Sequence, residues 1–185
     1  MQTQSVSVWP TTALFALAYI VLYCLSDLFF ENQNVKGAVG IFFLPAFIRL
    51  LGLLVIGLWI VPALFTAGLF LTAAGLYDLG AGHEAELLVT FATAFGGPVA
   101  AFAAARLSGL QYDLRNLTPL KLFILSLACS LGNAIAYGIA LRLIDRDLFA
   151  IEVYFEIFIG DMIGTWLLIY LIKFAGEAYA RLSQR

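Results

Sequence analysis

The stretch GIFFLPAFIRLLGLLVIG, residues 40–57, is long, apolar and interrupted by a single charge. Arg49 has at least eight uncharged residues on either side of it. A charged side chain inside a bilayer costs about 2.5–3.5 kcal/mol on insertion scales, so it faces protein, pairs with another group or contacts water. The stretch therefore predicts a membrane-embedded helix in which Arg49 is held by a partner.

The composition of the whole chain agrees with this prediction. Of its 185 residues, 63% are hydrophobic and 12% are charged, and the mean hydropathy is +0.97. Soluble domains carry about 25% charged residues, so this chain has too little polar surface to cover a water-soluble globule. We expect an all-α polytopic membrane bundle that forms one transmembrane domain over residues 1–185. The net charge of −2 gives no basic surface for nucleic acid.

The apolar segments are sufficient for about six membrane spans, each of which needs about 20 mostly apolar residues. In the long block after the first span, Pro45 and Pro62 predict a division, with a tight turn at LWIVP, residues 58–62. An irregular entry into the membrane before Pro45 is tolerated only where protein buries it or water reaches it. The predicted spans cover residues 9–30, 43–58, 62–77, 87–107, 120–144 and 153–174.

Lysine and arginine in short loops set the orientation of a membrane protein. With six spans both termini share a side, and six basic residues on that side face three on the other. The first group is Arg106, Arg115, Lys121, Lys173, Arg181 and Arg185, and the second is Lys36, Arg142 and Arg146. We expect both termini to be cytoplasmic.

Three carboxylates in or near the predicted spans are candidate partners for Arg49. Glu156 and Asp161 lie in YFEIFIGDMIG, and Asp27 lies near the end of the first span. At 1.5 Å per residue all of them fall in the same half of the membrane as Arg49, and we expect Asp161 to form the pair. The pair is either a structural device that fixes helix packing or part of an outward-open polar pocket that binds a ligand or senses protonation.

The fifth span carries a polar stripe. Its members are Ser126, Ser130, Asn133 and Tyr137, at spacings of four, three and four, which places them on one helix face. Interhelical hydrogen bonding is the first expectation for such a stripe. If the stripe points inward, it lines the same interior as Arg49.

Small residues predict close helix packing at two further places. Gly160 and Gly164 form a GxxxG pattern around Asp161, and the fourth span has a small-residue ridge. The ridge consists of Ala92, Gly96, Ala100 and Ala104. Within a bundle, such patterns favour internal packing over dimerisation.

Residues for catalysis or metal binding are scarce. His83 is the only histidine, and a metal set with Glu84 and Glu86 would lack the second histidine of the zinc-protease pattern. We expect a solvated loop histidine, no enzymatic activity, no metal and no cofactor. Cys24 and Cys129 fall inside apolar segments, where small buried hydrophobic side chains are expected.

Four segments resemble, in the same order, the MASE-type membrane-associated sensor domains of bacteria, over about residues 40–173. Pro45 matches the Pro-rich entry of that family, and Gly160–Asp161 matches the Gly-Asp pair of its last helix. The segments are FLPAFIRLLGLLVIG, PALFTAGLF, TFATAFGGPVAAFAAARL and GDMIGTWLLIYLIK.

The resemblance implies a sensory or protein-interaction module in a bacterial inner membrane. Such domains are usually fused to histidine kinases or diguanylate cyclases. Here Phe43–Leu44 stands in place of the Trp-containing entry, six spans replace the usual eight, and no enzymatic segment follows the sixth span. We therefore expect action through a separate partner protein, with no small-molecule ligand identified. Two alternatives remain: a six-helix substrate-binding subunit of an energy-coupling-type transporter, and a structural subunit of a larger membrane complex.

Overall fold

The computed structural model describes residues 8–30, 42–76, 82–111, 113–144 and 151–182, and regular structure in these ranges is helical throughout. The all-α prediction is confirmed for this part of the chain. A single turn of 3₁₀-helix, Gly57–Trp59, joins the second and third helices. The helices are α1 Val8–Phe30, α2 Ala46–Ile56, α3 Ile60–Ala73, α4 His83–Leu107, α5 Pro119–Ile144 and α6 Ile151–Leu182.

Five helical stretches in the described ranges are long and apolar enough to cross a membrane, so the chain is a multi-pass membrane protein. The number differs from the six predicted spans because α2 and α3 together make one stretch, Ala46–Ala73, of 28 residues. Taken alone, α2 has 11 residues and α3 has 14, fewer than the roughly 20 that a full span needs.

The chain turns sharply between α2 and α3. Gly57 has a φ of +62°, which a residue with a side chain rarely adopts. A Cβ atom on Gly52 would meet the side chain of Ile60. In a continuous helix these two residues would be separated by a rise of about 12 Å, so their contact requires a fold-back. The predicted turn is confirmed, one residue earlier than expected, and Pro62 lies in the first turn of α3, where no intrahelical N–H bond is lost.

Contacts along α1 show the direction of this fold-back. Trp9, near the start of α1, packs edge-on against Trp59 in the turn, with ring centroids 5.8 Å apart. Near the other end of α1, the Tyr23 hydroxyl donates to the Leu76 carbonyl at 3.1 Å, and Ser26 contacts the backbone just before α2. Therefore α2 runs antiparallel to α1, and α3 returns parallel to it.

Residues 42–45, the entry segment, are not helical, and Ser26 satisfies part of their backbone. The Ser26 hydroxyl accepts a hydrogen bond from the Leu44 N–H at 3.0 Å and donates one to the Phe42 carbonyl, also at 3.0 Å. Leu44 and Pro45 are buried. The predicted non-helical stretch before Pro45 is confirmed for residues 42–45, where protein buries Leu44 and Pro45.

The other side of the entry segment lies against α6. The Phe43 N–H donates to the Gly160 carbonyl at 3.2 Å. A Cβ atom on Gly164 would collide with the Phe43 carbonyl group. The GxxxG pattern of α6 therefore packs internally, as predicted, and its partner is a stretch of non-helical backbone.

Helices α4 and α5 approach closely at a contact here called the glycine crossing. A Cβ atom on Gly96 would meet the Ala136 side chain and the Gly132 carbonyl. A Cβ atom on Gly132 would meet the Ala100 side chain and the Gly96 carbonyl. The small-residue ridge of α4 thus lets two backbones approach without an intervening side chain.

The last helix is longer than a bilayer requires. Its 32 residues span about 48 Å, against a hydrocarbon core of about 30 Å. Near the start of α5, Trp166 of α6 donates from Nε1 to the Ser126 hydroxyl at 3.1 Å. The end of α6 therefore extends past the start of α5, and residues 171–177 and 179–181 are exposed. The predicted span ended at 174, but alanine, glutamate and arginine continue the helix.

Candidate functional site

Arg49 lies in the first turn of α2 and forms the predicted ion pair. Its Nη1 is 2.8 Å from Oδ2 of Asp161, and the two side chains are 4% and 3% exposed. The prediction that a carboxylate holds Arg49, and that this carboxylate is Asp161, is confirmed. The pair joins two elements that lie 112 residues apart in the sequence.

Two further side chains complete the site. Arg49 donates from Nη2 to the Tyr19 hydroxyl at 3.2 Å, and Asn133 donates from Nδ2 to the same Asp161 oxygen at 2.8 Å. All four residues are buried. We call Tyr19, Arg49, Asn133 and Asp161 the buried network. Because its members come from α1, α2, α5 and α6, it cross-links four of the six helices.

Aromatic rings surround the guanidinium of Arg49. The ring centroid of Phe43 is 5.1 Å from its Cζ, and that of Tyr19 is 5.8 Å away. A cation near an aromatic ring face gains electrostatic stabilisation, more so where water is excluded. The charges of a buried ion pair compensate each other, so the loss of either partner would leave the other uncompensated.

The side-chain amide of Asn133 has one group that is not satisfied in the described part of the chain. Its Nδ2 must face Asp161, because the reverse orientation would set an amide oxygen against a carboxylate oxygen. Oδ1 is therefore fixed on the other side, where it is buried and has no hydrogen-bond partner among the described residues. A buried acceptor without a donor costs roughly 1–3 kcal/mol.

The polar stripe of α5 points inward, as predicted. Asn133 joins the buried network, and Ser126 accepts the Trp166 indole while donating to the Phe123 carbonyl at 2.8 Å. The stripe therefore ties α5 to α6 at two heights. Its members are Ser126, Ser130, Asn133 and Tyr137, which are 1%, 2%, 2% and 5% exposed.

Two candidate residues from the sequence are not part of the network. Asp27 is exposed, because the inward position at this level of α1 is held by Ser26, one residue earlier. Glu156 is half-buried and precedes Asp161 by five residues, which turns it about 140° away around α6. Neither residue pairs with Arg49 in the part of the chain that the structure describes.

His83 begins α4, four residues before the predicted start of the fourth span. Gly82, with a φ of +89°, precedes the helix, and Glu84 and Glu86 in its first turn suit the positive helix end. The His83 side chain is 81% exposed, as expected for a solvated histidine, and its Nδ1 lies 3.0 Å from Oε2 of Glu86. The described residues include no group of three potential metal ligands.

The two cysteines differ from each other. Cys129 is buried, as predicted, but Cys24 is exposed, so the expectation for Cys24 is wrong. In a membrane protein an apolar sequence environment does not distinguish a residue facing protein from one facing lipid, which explains the error.

Sequence reasoning missed Tyr19, Ser26, Phe43 and Trp166. Tyr19 and Phe43 look like ordinary membrane aromatics until Arg49 is placed beside them. Ser26 was not recognised because its charged neighbour Asp27 was the stronger candidate in the sequence. A signal was available for Trp166, whose indole N–H needs an acceptor when it is half-buried, and Ser126 was already singled out.

The geometry describes a closed, charge-balanced cross-link that fixes the position of α6 against the entry segment and α2. Its four polar side chains are buried and bond to one another, so they are not available to an outside ligand. Comparison of the chain with models of known protein families, with curated proteins and with solved structures finds no match.

Proposed function

We propose that this chain is a non-enzymatic membrane module with a sensory or protein-interaction role, which acts through a partner protein. The observation that carries the proposal is the layout of α6. This single helix holds Asp161 in the buried network and continues to Leu182, with most of residues 171–181 exposed. It thereby connects the interior of the bundle to a surface that a partner can contact.

The contacts of α6 support a role in transmission. Its Gly160 carbonyl and Asp161 carboxylate are both held by the chain around α2, through Phe43 and Arg49. From Asp161 to Leu182 the helix continues for about 32 Å without a break. A shift of the entry segment would therefore displace α6, and a rigid helix carries such a displacement along its axis.

The proposal includes six crossings with both termini in the cytoplasm. It is supported by the fold-back of α2 and α3 along α1, and by the basic residues near the start of α5 and the end of α6. Labelling from outside intact cells tests it, in a Cys24→Ser background. His83→Cys should react with a membrane-impermeant maleimide, and a cysteine appended to the C-terminus should not. The opposite pattern would invert the orientation.

The resemblance to MASE-type sensor domains supports a bacterial inner-membrane location and a histidine kinase or diguanylate cyclase as the class of partner. Pro45 and the Gly160–Asp161 pair carry that resemblance. Pro45 lies in the entry segment, and Gly160 and Asp161 are the α6 residues held by Phe43 and Arg49 in the proposed transmission contact.

Affinity purification in mild detergent, followed by mass spectrometry, tests the function. We expect recovery of a signalling enzyme by the parent chain and by Lys173→Ser, and loss of it with Phe174→Ser, which alters the apolar side of the exposed α6 end. Recovery of transporter ATPases would replace the proposal with the substrate-binding subunit. Recovery of a multi-subunit membrane enzyme, unaffected by Phe174→Ser, would replace it with the structural subunit.

A further inference from the structure

The buried network contains one acceptor that its own side chains do not satisfy. Asn133 is 2% exposed, and its Oδ1 has no hydrogen-bond partner within the described ranges. The amide cannot turn over to find one, because its Nδ2 donates to Asp161 at 2.8 Å and a reversed amide would lose that bond. Buried polar groups in proteins nearly always have a partner, either in the protein or in ordered water.

A second buried oxygen that lacks a partner in the described part of the chain, Oγ1 of Thr72, does not carry the same weight. A threonine hydroxyl in a helix can rotate and donate to a carbonyl one turn earlier in its own helix. The amide of Asn133 is fixed by its bond to Asp161 and has no such freedom. Its Oδ1 therefore indicates a donor that the described side chains do not supply.

Other members of the buried network have hydrogen-bonding groups left over. Arg49 and Asn133 both donate to Oδ2 of Asp161, and neither of these bonds uses Oδ1. The Tyr19 hydroxyl accepts a hydrogen bond from Arg49, which leaves its own proton for a further acceptor. The network thus offers two acceptor oxygens and one proton to a molecule that can both donate and accept.

Charge and size restrict the occupant of such a site. The charges of Arg49 and Asp161 compensate each other, so an added ion would itself be uncompensated. Their side chains are only 4% and 3% exposed, which closes the network to a ligand arriving from outside. A single water molecule is neutral and small enough to be enclosed, and buried waters typically make about three hydrogen bonds to otherwise unsatisfied groups.

We infer that the buried network holds one water molecule, which donates to Oδ1 of Asn133 and to Oδ1 of Asp161 and accepts from the Tyr19 hydroxyl. This water joins α1 to α5 and α6, three helices that the direct bonds connect only through Arg49. Hydrogen bonds through water are nearly as favourable as direct ones. The inference goes beyond the proposed function and does not depend on it.

Radiolytic hydroxyl labelling of the purified chain tests the inference, with Cys129 as the reporter. X-rays convert water into hydroxyl radicals, which oxidise side chains next to the place where they form. Cys129 is 4% exposed and lies one turn before Asn133 on α5. A Cβ atom on Gly97 would be 3.2 Å from the thiol sulfur and 3.5 Å from the Asn133 Cβ, so the thiol and the amide flank the same point of α4.

A second buried thiol in the same molecule provides the control. Ala140→Cys places it on α5, about 10 Å further along the helix than Asn133, at a position that is 1% exposed. The exposed Cys24 is replaced by serine in this chain. Because both thiols are equally reactive and both are buried, a difference in their oxidation rates reports on bound water.

We expect Cys129 to be oxidised severalfold faster than the thiol at position 140. Adding Asn133→Leu should lower the Cys129 rate to that of position 140, because leucine removes the acceptor. Equal and slow oxidation of the two thiols would show a dry network and would overturn the inference. Equal and fast oxidation would show general entry of solvent, with the same consequence.

The Asn133→Leu variant also reports on its own folding. If it unfolds, the thiol at position 140 becomes reactive as well, and the comparison of the two thiols in the chain that retains Asn133 decides the matter. If position 140 stays slow and Cys129 stays fast in the variant, the water next to Cys129 does not bind to Asn133, and the inference is wrong.

Discussion

Two close backbone contacts of this protein are built from opposite materials. At the glycine crossing, α4 and α5 meet through Gly96 and Gly132, and shape alone sets the approach. Where the entry segment and α2 meet α6, a backbone hydrogen bond from Phe43 and a buried ion pair set it. Both solutions bring backbones close together inside a membrane, where apolar side chains find lipid as favourable as protein.

The difference lies in how each contact fails. At the glycine crossing, the loss of stability should grow with the side-chain volume that a substitution adds, because neighbouring atoms can shift to make room. An ion pair is all-or-none, since the removal of one partner strands the other in a medium that does not solvate it. The contact between α2 and α6 should therefore be the more sensitive to single changes and the more readily repaired by a second change.

The largest expected effect comes from breaking the ion pair. Arg49→Leu or Asp161→Leu alone should destabilise the fold, and breaking buried pairs in soluble proteins costs about 3–5 kcal/mol. The double substitution removes both charges and should recover part of the loss. The measurement is thermal unfolding in detergent of the parent, both single variants and the double variant, analysed as a double-mutant cycle.

Strictly additive losses in that cycle would mean that Arg49 and Asp161 do not depend on each other, contrary to the geometry. The cycle also separates the two roles of the pair. Recovered stability without recovered partner binding would indicate that the charges themselves serve function. Recovery of both would indicate a purely structural pair.

An intermediate effect is expected at the glycine contacts. Gly96→Ala and Gly164→Ala each place a methyl group against a carbonyl group of a neighbouring element, and overpacking costs about 1–3 kcal/mol. Gly176→Ala is the matched control in α6, because a Cβ atom there meets nothing within 4 Å. It should be neutral, or stabilising by up to about 1 kcal/mol through helix propensity. Equal losses in the same unfolding assay at all three positions would disprove the close contacts.

The smallest expected effect comes from Tyr19→Phe, which removes one hydrogen bond to Arg49 and keeps the ring beside the guanidinium. Interhelical hydrogen bonds in membranes average about 0.6 kcal/mol, so a small loss of stability is expected. Tyr170→Phe, at an exposed tyrosine of α6, serves as the control and should have no effect. A loss as large as that of Arg49→Leu would show that Tyr19, rather than Asp161, is the main support of the guanidinium.

Much of the candidate site could be predicted from the sequence, because charges are rare in an apolar chain. Arg49 required a carboxylate partner. Counting residues from the span ends left three carboxylates at a similar depth in the membrane. The four-three-four spacing placed Asn133 on a common face with Ser126 before any contact was known. The choice among Asp27, Glu156 and Asp161 was correct because Asp161 lies between two glycines that bring another element close.

The sequence was less informative where the same apolar composition serves different environments. It gave no means to tell that Cys24 is exposed, or that residues 171–182 continue α6, because alanine and leucine suit helices in lipid, protein and water alike. The α2–α3 unit is a counterexample. Its two prolines predicted a division of the 28-residue stretch, and the contact between Gly52 and Ile60 shows the fold-back.

Composition and hydropathy alone predict the membrane environment, the helical class and the need for an internal partner of Arg49. These follow from the energetics of transferring charges and unpaired backbone groups into a medium without water. The tertiary structure decided which groups meet that need. Ser26 and Gly160 pair with the entry segment, and Tyr19 and Asn133 complete the ion pair, because hydrogen bonds require positions within about 3 Å. Such positions depend on how the helices pack, which no local pattern specifies.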